Sequence, residues 1–406
     1  MLDRPTAKLV ESVALLVVLG TVGVVAVPAG TALGAQGNSP GPTEIDRCTA
    51  ITDSGEYVLA GDVANGSPTN PRTGLGACIA VRADDVTLRG GNHTVAAGPT
   101  GAPGVVGVLV ENRAVNVTVA NLTTTRWGAG VAVVGASRAA LRNVSAVNNL
   151  GDGFFVENAP GVEIRGGAVR GSNTGIFLRN SPDARVAGVT VTDNLAGVSV
   201  RRSEDATVSE IEAAENSQFG LAVSSSANAT VADSSFAGNG FAEVALARAD
   251  GAHLRNLTIA GETPGWALYV ANDSTAVGEE VGIGATRLSF EARDVALDSA
   301  TGTPPLPLTE RQVVGDPIVA TPTGESAGLS LTVNYADAAV ERASTTEDTL
   351  SLWRFDAGDG WNSVATTVDA ERNRASARFE NLRRNGTVIA LVGEGLAEAE
   401  NETDAE

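Results

Sequence analysis

Side chains that could do chemistry are few in this chain, and their types exclude most metal and redox functions. The 406 residues include two His, two Cys and one Met, and the Met is the initiator. Soft-metal centres use several imidazole, thiolate or thioether ligands. Copper or zinc chemistry therefore has almost no ligands available, and we expect no cofactor.

The strongest candidate for a binding surface is a group of aromatic and charged residues that recur at one interval. Phe155 and Phe177 are 22 residues apart, and Glu157, Arg179 and Arg201 follow one another at the same spacing. Aromatic and charged groups side by side suit an extended sugar chain or a protein partner. Such a surface forms only if the fold makes residues one interval apart into neighbours.

A repeat that meets this condition runs through the middle of the chain. A small residue followed by apolar-any-apolar begins at Gly107, Gly130, Gly153, Gly175, Gly197 and Gly220. Two weaker copies begin at Glu243 and Ala267, and the intervals over the whole series are 23, 23, 22, 22, 23, 23 and 24 residues. A second apolar phrase follows in each period, as at Val186, Val189 and Val191. An Asn stands near the end of most periods, at Asn149, Asn173, Asn194, Asn216 and Asn239.

This period, with three short strands, predicts one coil of a parallel β-helix. Propeller blades need about 40 residues, and leucine-rich repeats show a fixed Leu and Asn consensus with a helical half. Coils of a β-helix stack at about 4.8 Å, so small aliphatic side chains form inward columns. We expect glycine to give the backbone freedom at each corner and the Asn to form a structural amide ladder.

The register of the coil then divides the side chains between the two faces of a strand. We expect the first and third residues after each corner glycine to point inward and the second and fourth to point outward. Phe155 and Phe177 become exposed neighbours about 5 Å apart, beside Glu157, Arg179 and Arg201. The alternative is that a loop or the C-terminal region covers the two rings.

The ends of the chain differ from the repeat in composition. Residues 1–35 read as a secretory signal peptide, because Arg4 and Lys8 precede an apolar run and then small residues. The run has about 15 residues against the ~20 of a membrane span, so we expect cleavage rather than a retained anchor and no stable span afterwards. Residues 36–47 are assigned as a linker and 48–298 as the β-helix with an N-terminal cap. A second linker, 299–312, leads to a small antiparallel β-sandwich at 313–393, which is indicated by its period-two strands. We expect 394–406 to be an acidic disordered tail.

Export bears on two further sets of residues. Outside the cell Cys48 and Cys78 are expected to form a disulfide that contributes about 3.5 kcal/mol, and a free buried pair is the alternative. Asn-x-Ser/Thr triplets become N-glycosylation candidates, at Asn65, Asn92, Asn116, Asn121, Asn143, Asn228, Asn256, Asn272, Asn385 and Asn401. Asn and Thr are also ordinary coil residues, so we expect only some of these sites to carry glycans.

The coil phrase, the region of Cys48 and Cys78, and Asp85-Val-Thr-Leu-Arg-Gly-Gly-Asn-His-Thr-Val95 together resemble a known family. They are similar to the right-handed parallel β-helix repeat proteins of haloarchaeal cell surfaces, grouped with NosD-like and carbohydrate-binding and sugar-hydrolase β-helices. The resemblance covers about residues 45–295 and implies an all-β fold, a right-handed parallel β-helix followed by the sandwich. A halophilic origin agrees with 48 acidic and 28 basic residues and with Lys8 as the single lysine.

The catalytic patterns of similar β-helices are missing. Pectin hydrolases of this fold carry Asn-Thr-Asp, Asp-Asp, Gly-His-Gly and Arg-Ile-Lys segments, whereas here Asn173-Thr is followed by Gly, Asp84-Asp85 lies too early, and the last two segments are lacking. Lyases need a calcium-binding acid cluster and a base, and no Asp group falls at one register on successive coils. His93 and His253 lie about 34 Å apart if seven coils separate them, too far to share a copper ion.

The sequence therefore predicts an exported cell-surface or extracellular β-helix scaffold that binds a polysaccharide or a cell-surface protein. The alternatives are a polysaccharide lyase or glycoside hydrolase, and a NosD-like accessory factor for a copper enzyme, so enzymatic activity is left open. Nucleic acid is excluded as a partner, because the net charge is −20 and binding nucleic acid requires a concentrated positive surface.

Overall fold

The structure is a computed structural model that describes residues 41–64, 76–111, 113–260, 265–300 and 311–395. The predicted signal peptide and the sequons at Asn65 and Asn401 lie outside these residues. The described residues fall into two compact units, one up to Ser203 and the other from Glu204 onward. We take the two units in turn.

The first unit is a right-handed parallel β-helix built from two parallel sheets. The first sheet contains β2 (Thr49–Ile51), β4 (Gly76–Val81), β7 (Ala102–Val110), β9 (Trp127–Val134), β11 (Asp152–Glu157), β14 (Thr174–Arg179) and β17 (Ala196–Arg201). The second sheet contains β1 (Thr43–Ile45), β3 (Gly55–Leu59), β5 (Val86–Arg89), β6 (Thr94–Ala96), β8 (Thr118–Thr125), β10 (Ala140–Val147), β12 (Glu163–Arg165), β13 (Ala168–Arg170), β15 (Arg185–Ala187) and β16 (Thr190–Thr192). From β11 onward each coil has the three short strands that the sequence predicted.

The inward columns follow the predicted register. The first and third residues after the corner glycines of the first unit are fully buried, namely Val108, Val110, Val131, Val133, Phe154, Val156, Ile176, Leu178, Val198 and Val200. Matching side chains stack across strands, as Phe154 on Ile176 and Ile176 on Val198. The low aromatic content of the chain fits this core, because aliphatic side chains fill thin layers without strain.

The corner glycines are needed for space and not for backbone freedom, contrary to our expectation. Gly130 and Gly175 are not among the residues with positive φ. A β-carbon at Gly175 would lie 2.7 Å from the carbonyl oxygen of Gly197 and 3.0 Å from Nδ2 of Asn194. At Gly130 it would lie 2.9 Å from Nδ2 of Asn149. Glycine is required because the carbonyl oxygen of the next coil and a core side chain, Cγ1 of Val191 or Oγ1 of Thr124, leave no room for a β-carbon.

Left-handed backbone is found instead at a second corner of the coil, which lies within β8 and within β10 and, in the next two coils, between β12 and β13 and between β15 and β16. Asn121, Asn143, Gly166 and Gly188 occupy one turn on successive coils, with φ of 54°, 50°, 67° and 64°. Gly and Asn tolerate this region best among the residues. The Asn143 amide also donates to Oδ1 of Asn121 at 3.4 Å, so neighbouring turns are tied together.

The corner asparagines form the expected ladder, with one shift in position. Trp127 N–H donates to Oδ1 of Asn149, and Ser172 N–H donates to Oδ1 of Asn194 at 3.0 Å. Asn149 and Asn194 are buried, whereas Asn173 is exposed. The ladder position in that coil belongs to Ser172, which is 7% exposed and whose hydroxyl has no hydrogen-bond partner.

The predicted disulfide is confirmed. Cys48 and Cys78 are bonded with a Cα separation of 4.4 Å. The bond joins the residue before β2 to β4, the strand that pairs with β2. It therefore fastens the short strand at the edge of the first sheet.

The second unit begins with further coils. Its first sheet contains β20 (Phe219–Ser224), β23 (Ala242–Ala247) and β26 (Trp266–Ala271), and its second sheet contains β18 (Thr207–Ser209), β19 (Glu212–Ala214), β21 (Thr230–Ala232), β22 (Ser235–Ala237), β24 (Ala252–Arg255), β25 (Thr258–Ile259) and β27 (Thr275–Ile283). Asn216 and Asn239 continue the corner ladder in this unit. Glu243, fully buried at a corner-glycine position, accepts from the N–H and the amide of Asn239.

Antiparallel strands then extend both sheets of the second unit. The second sheet adds β28 (Thr286–Arg293), β31 (Gly328–Asn334), β35 (Arg374–Phe379) and β34 (Thr367–Asp369), while the first adds β29 (Val295–Ser299), β30 (Arg311–Pro322), β36 (Thr387–Glu394), β32 (Ser351–Asp356) and β33 (Gly360–Ser363). One α-helix, α1 (Asp337–Arg342), and a 3₁₀ turn at Glu347–Thr349 lie between strands. The predicted sandwich is confirmed, and its antiparallel pairing already starts at β28.

The gap in the corner ladder generates a stability prediction. Replacing Ser172 by Asn is expected to raise the free energy of unfolding by about 1 kcal/mol, because the longer side chain can accept from the N–H of Asn149 as Asn194 accepts from Ser172. Chemical denaturation measures the change. The control Ser172→Ala removes only the unpartnered hydroxyl and is expected to be no less stable than wild type. A less stable Ser172→Asn variant would show that this corner has no room for the amide.

Candidate functional site

The outer face of the first sheet in the first unit brings the predicted residues together. Phe155 pairs with Phe177, and Glu157 pairs with Arg179, between β11 and β14. Arg179 in turn pairs with Arg201. We call this surface the platform and define it by Asp152, Phe155, Glu157, Thr174, Phe177, Arg179, Ser199 and Arg201.

The two phenylalanines are stacked. Their ring centroids are 5.8 Å apart and the ring planes differ by 16°, so the predicted adjacency is confirmed. They are less exposed than we expected, because Phe155 is half-buried and Phe177 is 9% exposed. Phe155 also packs against an apolar cluster that includes Leu109 and Ala132, and each contact removes ring area from solvent.

Charged side chains border the aromatic pair on one side. Glu157 is 7% exposed and forms an ion pair with Arg179. The Nε atom of Arg179 is buried and has no hydrogen-bond partner. Arg201 is half-buried on the next strand. A ligand that reaches this border meets one carboxylate and two guanidinium groups within three neighbouring strands.

A carboxyl group that the sequence analysis missed lies on the other side of the rings. Asp152 is 6% exposed and faces Thr174 on the next strand. Burial raises the pKa of Asp152 to about 6, and the hydrogen bond with Thr174 opposes part of that rise. The available signal was an acid directly before a corner glycine, where Ala129 and Ala196 stand in other coils.

The platform does not have the spacing of a two-carboxylate hydrolase. Asp152 and Glu157 are five residues apart on β11, which corresponds to about 15 Å along a strand. The two carboxyl groups of glycoside hydrolases are roughly 5 to 9.5 Å apart. Asp152 and Glu157 therefore cannot act together on one glycosidic bond.

The structure also bears on the metal alternatives. Within the described ranges, no three His, Cys, Asp or Glu side chains converge on a possible metal position. The imidazole of His93 contacts Asp62 at 3.3 Å, and His253 lies exposed on β24.

The sequons coincide with the turns of the coils. Of the eight sequon asparagines that the structure describes, seven have positive φ, namely Asn92, Asn116, Asn121, Asn143, Asn228, Asn256 and Asn272. In several of them the amide donates to a neighbouring turn, as from Asn116 to Asp85 and from Asn256 to Asp233. The structural requirement for Asn at these turns therefore explains much of the sequon pattern, and glycosylation remains a prediction.

A second aromatic cluster that the sequence analysis missed lies in the second unit. Phe219 contacts Phe241, Phe241 contacts Tyr269, and Tyr269 contacts Trp266, with centroid distances of 5.2, 5.4 and 6.2 Å. Only Tyr269 is the second residue after a corner position. Phe219 and Trp266 stand one residue before the corner position, and the recurrence of aromatic residues there was the available signal.

Comparison with protein-family models agrees with this fold. Residues 106–259 match the family model of the right handed beta helix region. The chain is similar to the Dettilon tailspike protein, with 13% identity, coverage of 86% of both chains and a TM-score of 0.42. It is also similar to a periplasmic alginate epimerase, with 10% identity, coverage of 57% of this chain and 64% of that chain, and a TM-score of 0.42.

A third similar structure is the A-module of a mannuronan C-5 epimerase from Azotobacter vinelandii, with 14% identity, coverage of 56% of this chain and 82% of that chain, and a TM-score of 0.31. No curated protein sequence matches the chain. Among the described residues, no helix has the length and apolar character to cross a membrane.

Asp152 generates a prediction on pH dependence. Its pKa in the fold, about 6, lies above the ordinary 3.8, so the fold favours the protonated carboxyl. The stability that this preference contributes is complete below about pH 4 and is lost as the pH rises through 6. Wild type is therefore expected to lose about 2 kcal/mol relative to Asp152→Asn between pH 4 and 7.

Urea denaturation of both proteins across this range measures the difference. Glu291→Gln, a change at an exposed carboxylate, serves as the control and is expected to follow wild type. Parallel curves for wild type and Asp152→Asn would contradict the prediction.

Proposed function

We propose that the protein is an exported cell-surface or extracellular β-helix scaffold that binds a polysaccharide along the platform. The stacked pair of Phe155 and Phe177 is the observation that carries this proposal. Aromatic rings offer large apolar area at low entropic cost, and sugar rings present C–H groups that pack on such area. The pair lies between Asp152 and Thr174 on one side and the Glu157–Arg179 ion pair on the other.

The polar residues around the rings suit sugar hydroxyl groups. Carboxylates accept and guanidinium groups donate hydrogen bonds, and bonds to charged groups are about twice as strong as neutral ones. Ala132 pairs with Phe155 and Ser199 pairs with Phe177, so a small side chain stands at each end of the aromatic pair. A sugar chain lying across the strands would therefore meet the two rings in succession, with polar groups along both sides.

Export and a halophilic setting belong to the same proposal. They are supported by the signal-like segment at residues 1–35, by the net charge of −20 and by the single lysine. A surface rich in carboxylates stays hydrated in concentrated salt. The disulfide between Cys48 and Cys78 is typical of oxidising compartments.

Polysaccharide cleavage is a second candidate, and Asp152 is the observation that favours it. A buried carboxyl with a pKa near 6 beside a binding surface has the properties of a general acid or base. The separation of Asp152 from Glu157 excludes the two-carboxylate mechanism, so a cleaving enzyme of this kind would need its second group from Thr174 or from the substrate.

A glycan array in multimolar NaCl, followed by analysis of the products, tests the proposal. Replacing both Phe155 and Phe177 by Ser is expected to weaken binding at least tenfold, because the aromatic area is lost. The matched control is Phe355→Ser with Trp361→Ser, which removes a ring pair at 5.4 Å from the second unit and is expected to bind as wild type does.

The outcomes separate binding from catalysis. Intact glycans after long incubation, with binding lost only in the Phe155 and Phe177 variant, would support the scaffold. Shortened or unsaturated products that disappear in Asp152→Asn would favour the enzyme instead. Unchanged glycan binding together with reduced stability in the Phe155 and Phe177 variant would show that the rings are structural.

A further inference from the structure

The outer face of the second sheet in the second unit carries a row of hydroxyl groups. Ser289 pairs with Thr332 between β28 and β31, Thr332 pairs with Ser376 on β35, and Ser376 pairs with Thr367 on β34. The four side chains therefore form one line across four antiparallel strands, which we call the hydroxyl row. Neighbouring members are about 4.8 Å apart and the row spans about 14 Å.

The hydroxyl row lies in a shallow, open depression of the surface. All four residues line a cavity of about 550 Å³. A second cavity of about 630 Å³ shares Val277, Glu291, Ser330 and Arg378 with the first. Binding sites for small ligands typically have 300 to 1,000 Å³, so the two adjoining cavities have the size of an oligosaccharide site.

Longer charged side chains stand on both sides of the row. Glu291, Ser330 and Arg378 form the next row on one side. Arg287, Asn334 and Arg374 form the next row on the other, where Glu280 accepts from the amide of Asn334 at 2.8 Å. The floor between these rows has no charge, although 48 of the 406 residues are acidic. An ordinary hydrated face of such a chain would be expected to carry charges there.

We propose that the hydroxyl row and its flanking charges bind a short segment of a neutral oligosaccharide. Serine and threonine hydroxyls both donate and accept hydrogen bonds, as the 2.9 Å contact between Thr332 and Ser376 illustrates. Their spacing is comparable to the length of a pyranose ring. Glu291 and Arg378 supply one acceptor and one set of donors at the wall, and the exposed Glu279 also lines the cavity. The two carboxylates outnumber the single guanidinium group, so an uncharged ligand fits better than an anionic one.

This site is independent of the platform, because its residues belong to the other unit and share none of the platform side chains. The proposal therefore extends the function from one glycan-binding surface to two. It stands or falls separately from the binding assigned to Phe155 and Phe177.

The test uses the full chain in multimolar NaCl and a panel of neutral probes, namely the hexaoses of cellulose, xylan, mannan and chitin, with calorimetric titration. The variant Thr332→Val with Ser376→Ala removes two central hydroxyls at half-exposed positions, so the melting temperature should stay unchanged. The dissociation constant for the bound probe is expected to rise at least tenfold. Thr207→Val with Ser209→Ala, two half-buried outward positions on β18, is the matched control and should bind as wild type does.

A parallel titration of the Phe155→Ser and Phe177→Ser variant keeps the two sites apart. Retained binding of a neutral probe there, lost when Thr332→Val and Ser376→Ala are added, supports the hydroxyl row. The proposal is overturned if the Thr332 and Ser376 variant binds every probe as wild type does. It is overturned equally if the Phe155 and Phe177 variant binds no neutral probe.

Discussion

The close approach at the coil corner is the constraint on which the rest of each β-helix depends. A β-carbon at the corner glycine Gly175 would lie 2.6 Å from Cγ1 of Val191 and 2.7 Å from the carbonyl oxygen of Gly197, the corner of the next coil. The N–H of Ser172 also donates to Oδ1 of Asn194 at this corner. Each coil must therefore return to the same point after 22 or 23 residues, and a slip of one residue would turn every inward side chain outward.

The outer surfaces follow from this constraint. Because the register is conserved from strand to strand, residues of one kind placed one period apart become neighbours, and the pair of Phe155 and Phe177 is an example. The hydroxyl row has a different origin, because antiparallel pairing sets its register. A β-helix can thus assemble an extended binding surface from single residues in separate coils, while the core beneath stays unchanged.

The period was readable from sequence, because inward columns need small aliphatic residues and corners need glycine. The period does not reveal how much space each neighbour occupies. For this reason the exposure of Phe177 was overestimated and the corner glycine was given the wrong role. The ladder residue of one coil was taken as Asn173 instead of Ser172, since a serine carries no ladder signal of its own. Asp152 was missed because a single acid before a glycine looks like any other surface acid in a chain with 48 of them.

Two buried carboxyl groups differ in whether a structural role explains their burial. Burial raises the pKa of Glu243, but Glu243 accepts from both the N–H and the amide of Asn239, so it completes the corner ladder. Burial also raises the pKa of Asp152, which lies at the edge of the aromatic pair and has the hydroxyl of Thr174 as its hydrogen-bond partner. It belongs to no ladder, and Ala129 and Ala196 serve in the matching positions of other coils. A carboxyl group that is buried without a structural role is expected at a functional surface. Asp152 is such a group, and it lies beside the rings of the platform.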